Sequence, residues 1–270
     1  MKISTFFEKL LSPYSLIAFN LTIFFSAEFF GGGTYFEETG LMHAIAIVFV
    51  VLILIRIFSE YAFSDHILRR FLKIQLGFFL FLGFVHVYEY FGLHYSLIDH
   101  EAIELSAMLA YLVWILGVLI GLESVFRIYY KKSAALIATL YAFLLVGVLG
   151  IIVLNVSSHE LIEEMEEWIP LTGFSLIVVF GALAIASTRK IRKIMPVFKE
   201  YSHYAIPAII LMVLTALSEY FESTHYLLDV LDITDTQNLY FAHYFMFAAF
   251  SLLLIGFGKL KKPKGIYADM

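Results

Sequence analysis

The strongest constraint on this chain is where its positive charges fall. All 18 Lys and Arg sit in five segments: Lys2 and Lys9; Arg56, Arg69, Arg70 and Lys73; Arg127, Lys131 and Lys132; Arg189, Lys190, Arg192, Lys193 and Lys199; and Lys259, Lys261, Lys262 and Lys264. Two apolar stretches and a connecting tip without Lys or Arg separate each basic segment from the next.

The apolar stretches are residues 11–30, 41–58, 71–91, 102–125, 134–156, 169–188, 203–221 and 238–258. Each is long enough, or nearly so, to cross a hydrocarbon layer about 30 Å thick at about 1.5 Å per helical residue. The chain is 61% hydrophobic and 15% charged, against about 45–50% and about 25% in soluble domains. No alternating pattern of membrane strands is present. The sequence therefore predicts an all-α integral membrane protein of eight transmembrane helices, paired as four hairpins. Loops rich in Lys and Arg stay in the cytoplasm, which places both termini inside and the four tips outside. Lys2 and Lys9 before an apolar run resemble a signal peptide, but Phe25 stands where a small residue belongs before Ala27, so the first stretch is read as a retained helix. The expected location is a cell or cytoplasmic membrane.

The tips resemble one another. "SAEFFGG", "HVYEYFG" and "LSEYFES" each place a Glu before two aromatics, at Glu28, Glu89 and Glu219, and "LNVSSHE" puts Asn155 in register. The intervals are 61, 66 and 64 residues. The pattern reads as an internal repeat with units 1–66, 67–132, 133–198 and 199–262. The third tip, "SSHELIEEMEEWIP", reads as a short amphipathic segment with a solvated acidic face.

Counting from the basic residues gives depth. Glu28 lies 19 residues beyond Lys9, or about 28 Å along a helix. His43, 13 residues from Arg56, and His243, 16 from Lys259, fall about 20–24 Å up, inside the apolar slab. His86 is one turn below Glu89 on the same helix face. A layer near the outer boundary thus collects Glu28, His43, His86, Glu89, Glu104, Glu219 and His243, with Glu222 and His225 just above it. All Lys and Arg lie at the other boundary, so these carboxylates must be hydrated, protonated or bound to a cation.

Carboxylate oxygen with neutral imidazole suits Zn, Mn or Fe better than Mg or Ca. Four carboxylates and two His buried in a helical bundle are also the ligand inventory of carboxylate-bridged di-metal proteins; the likeness is one of inventory alone. The leading expectation is an outward-facing Glu/His metal centre, catalytic or metal-handling, with Glu28, His43, Glu89, Glu104, Glu219 and His243 as its ligands, His86 as an alternate or outer ligand, and Tyr88, Tyr90 and Tyr220 as neighbours. A proton or divalent-cation transporter is the first alternative. The second is an electron-transfer subunit holding haem b between His86 and His243, or a quinone, and a structural subunit of a membrane complex remains the simplest reading.

Other polar residues have modest roles. Asn20, Gln75 and Thr215 read as interhelical hydrogen bonds. Gly117 and Gly121 give a spacing that permits close helix packing, within one subunit or in a homo-oligomer. The absence of Cys removes disulfides, thiolate metal sites and Cys nucleophiles. The inner basic loops are explained by topology and anionic lipid, so the lipid bilayer and a metal ion are the expected partners and nucleic acid is not.

Overall fold

The computed structural model describes residues 13–29, 40–62, 64–95, 100–130, 168–224 and 235–260. Among these are seven helices and no strands: α1 (Pro13–Phe29), α2 (Leu41–Ala62), α3 (His66–His94), α4 (His100–Tyr130), α5 (Trp168–Ile194), α6 (Val197–Thr224) and α7 (Asp235–Phe257). Seven of the expected spans thus coincide with a helix. The eighth, 134–156, lies outside the described residues, as do Asn155 and the acidic part of the third tip.

The helix boundaries follow local chemistry. Gly40 adopts a left-handed φ of 63°, a conformation that costs glycine little. From there its carbonyl accepts from the amides of His43 and Ala44 at 3.0 and 3.2 Å, which starts α2. Asp65 caps α3, its Oδ1 accepting from the amides of Ile67 and Leu68 at 3.1 and 2.9 Å. Between α5 and α6 the chain turns at Met195 and Pro196, where proline cannot continue the preceding helix.

Five helices are long and apolar enough to cross a membrane: α2, α4, α5 and α6 over most of their length, and α3 over His66–Gly92. Along α2 the outward face is as apolar as the inward one. On α2, Met42, Ala46, Phe49, Val50, Ile53 and Ile57 point inward, while Val48, Val51, Ile55 and Phe58 point outward. Phe58 and Phe84 are 67% and 69% exposed; hydrocarbon accommodates such surfaces where water would not. The protein is a multi-pass helical membrane protein.

Consecutive helices α2 to α7 pack against their neighbours, and α7 returns to α2. Because α4 also touches α6, the closed circuit runs α2, α3, α4, α6, α7, with α5 covering the α4–α6 groove and α1 resting on α7. The apolar window of α4 is 83% buried and that of α5 only 28%, which places α4 inside and α5 at the periphery. Phe71, Phe79, Trp114, Phe198, Tyr201 and Phe257 fill the interior toward the basic end with edge-on and tilted ring contacts.

Gly117 and Gly121 use their missing side chains at the α3–α4 seam. A Cβ on Gly117 would strike the Phe78 ring, and one on Gly121 would lie 2.6 Å from Gln75 Nε2. The close approach lets Gln75 donate to the Gly117 carbonyl at 2.9 Å. Asn20 likewise links α1 to α7 by donating to Ser251 Oγ at 2.7 Å. Thr215 differs from expectation: its hydroxyl bonds back to the Leu211 carbonyl of its own helix at 3.0 Å, the ordinary way a mid-helix threonine satisfies itself.

Candidate metal centre

Four helix ends meet at the end of the bundle opposite the basic residues. His43 lies in the first turn of α2, fixed by the Gly40 turn. His86 and Glu89 lie near the end of α3, Ser106 near the start of α4, and His243 early in α7. At the other end, Arg56 packs against Gly258 and Lys190 lies over the Phe126 ring at 5.2 Å.

One carboxylate oxygen organises the site. Glu89 Oε2 lies 2.8 Å from His86 Nδ1 and 3.0 Å from His43 Nδ1. The second oxygen, Oε1, accepts from the Ser106 hydroxyl at 3.1 Å. Glu89 and His86 are fully buried, and His43 is 12% exposed. Among the described residues, the two imidazoles are the ion partners of Glu89, and no Lys or Arg reaches it.

His86 Nε2 is buried without a hydrogen bond, while His43 Nδ1 meets Oε2 as an ion-pair contact at 3.0 Å. Donors that share an ion aim at the ion rather than at each other, and at about 2.1 Å from it they stand roughly 3.0–3.4 Å apart for angles of about 90–110°. One donor atom each from His43, His86 and Glu89 lies within 4.8 Å of the others. The donor set and spacing could hold a metal ion.

His43 also sits against His243, ring centroids 5.3 Å apart and nearly perpendicular, and against His86 at 5.9 Å. His243 is buried, but its nitrogens fall outside the three-donor group.

Of the residues expected from sequence, the structure brings together His43, His86 and Glu89, with His243 beside them. Glu28 lies on α1, Glu104 on α4, and Glu219 and Glu222 on α6; their side chains are outside the described set, and His225 is outside the described residues. Tyr90 and Tyr220 are engaged elsewhere, stacked on His94 and Phe174. Ser106 was not expected. Its only signal is position, since a returning helix places it level with Glu89, and serine is too common in such helices to stand out.

Comparison with protein-family models, with curated proteins and with solved structures finds no match. Fold and site together define a class: a polytopic helical membrane protein with a buried His/Glu triad whose donor set and spacing fit a metal ion.

Proposed function

We propose that this protein binds a divalent transition-metal ion, Zn, Mn or Fe, through His43, His86 and Glu89, at the extracytoplasmic side of the membrane. The observation that carries the reading is the convergence of two imidazole nitrogens on one fully buried carboxylate oxygen. A buried carboxylate away from every cation is costly, and a bound ion removes that cost. The sidedness is supported by the basic loops, which fall at the opposite end. An ion held here serves either metal handling or metal-dependent chemistry.

The 2.8 Å contact of His86 with Glu89 is also a proton-sharing pair, which favours proton transport as the second reading. A haem between His86 and His243 fits less well, because His43 stands against both rings.

The test is metal analysis by mass spectrometry of protein purified in detergent without chelator. About one ion per chain is expected, lost in His86→Gln and Glu89→Gln. A wild-type protein that holds no metal, even after metals are added back, removes the reading and leaves proton flux in proteoliposomes as the next measurement.

A further inference from the structure

The three-donor group leaves open whether the ion keeps a free position for a substrate or is closed by another protein ligand. We propose that His243 is the fourth donor, giving a closed centre of three imidazoles and one carboxylate that fastens α7 to α2 and α3. This rests on the metal reading above.

Ring spacing carries the argument. An imidazole centroid lies about 1.1 Å beyond its ligating nitrogen, hence about 3.2 Å from the ion, so two ligands at a tetrahedral angle have centroids roughly 5.2 Å apart. His43 and His243 are already 5.3 Å apart, and His43 and His86 5.9 Å. The proposal requires the His243 side chain to turn from its present contacts so that a nitrogen meets the shared position; side-chain rotamer changes commonly accompany binding.

The surrounding helix faces hold His243 in place for this role. His243, Phe247 and Phe250 follow one another on a single face of α7 at helical spacing. Phe49 of α2 lies against both phenylalanines, with centroids 5.6 and 6.2 Å away. The His243 ring lies against Phe247 at 6.2 Å and against His43 at 5.3 Å, so the histidine pair continues the ring contacts to the outer end of the same seam. That seam is where α7 returns to α2 and closes the circuit. A closed tetrahedral shell with no open position is what separates a structural zinc site from a catalytic one, and without Cys this chain has to build such a shell from imidazole and carboxylate. The ion here then sets how tightly the circuit closes and has no vacancy at which to activate water.

The test is titration of the full-length, metal-depleted protein with Co(II), read by visible absorption and by affinity. Wild type is expected to give the intense bands of a four-coordinate ion. His243→Gln is expected to bind one Co(II) with weak bands of higher coordination and an affinity lower by more than the roughly 10–100-fold that loss of an outer-shell group costs. Equal spectra and affinities in the two proteins would overturn the fourth-ligand proposal and leave the three-donor centre standing. Failure of wild type to bind Co(II) or Zn(II) would overturn the metal reading itself. Should His243→Gln not fold, X-ray absorption of the zinc-loaded wild type counts the imidazoles directly: three support the proposal and two refute it.

Discussion

His86 and Glu89 face each other across one turn of α3, Nδ1 to Oε2, at 2.8 Å, and the same oxygen is met from the neighbouring helix by His43 at 3.0 Å. A single carboxylate oxygen therefore joins two transmembrane helices, and its charge is the quantity to perturb first.

Glu89→Gln preserves shape and removes that charge. Metal affinity is expected to fall by more than the roughly 10–100-fold that loss of a merely orienting group produces. With chelator present the variant should also unfold below metal-free wild type, since His43 and His86 lose the carboxylate they pair with. Thermal unfolding in detergent, with and without metal, measures both. A metal-loaded variant indistinguishable from wild type would contradict the role assigned to Glu89.

Ser106 acts through Glu89, holding Oε1 so that Oε2 faces the imidazoles. Ser106→Ala should lower metal affinity by about tenfold and cost about 1 kcal/mol of stability. Stoichiometry should stay unchanged, which separates a positioning role from that of a ligand.

The α3–α4 seam is predicted to tolerate no bulk. Gly117→Val drives a branched side chain into Phe78 and disturbs the Gln75 bond to the Gly117 carbonyl, for an expected loss of about 1–3 kcal/mol. The reverse compensation is specific. Adding Phe78→Ala should recover part of that loss, whereas Phe84→Ala, on the exposed face of α3, should recover none; equilibrium unfolding in mixed micelles reads both double variants.

Topology can be checked directly because the chain has no Cys. Single replacements Asp65→Cys and Tyr95→Cys mark opposite ends of α3, both at exposed positions. A membrane-impermeant maleimide added to intact cells should label the Tyr95 position and spare the Asp65 position. The opposite pattern would place the His/Glu layer in the cytoplasm.

The helices were legible because the property that forms them, a run of apolar residues long enough for a bilayer, is local. His43, His86, Glu89 and His243 were legible for a related reason: counting from Arg56, Arg70 and Lys259 gives height, and height gathers them into one layer. Azimuth was not legible. Helices apolar on both faces show no stripe that says which way a side chain points, so nothing distinguished Ser106, or foretold that Tyr90 and Tyr220 would turn toward other rings. Thr215 was misjudged for the opposite reason, because a hydroxyl can satisfy itself on its own helix and needs no partner across a seam. Asn20 and Gln75, whose amides carry two donor hydrogens, do reach across.

At the basic end, Arg56 pairs with Glu60 at 3.2 Å and packs on Gly258, the residue that follows α7. The same two helices carry His43 and His243 about 20 Å away along α2. Side-chain contacts at both ends of the α2–α7 seam oppose a hinge motion about either end. What remains to α2 and α7 is a small sliding or twisting motion along their shared length, with side chains shifting within their rows.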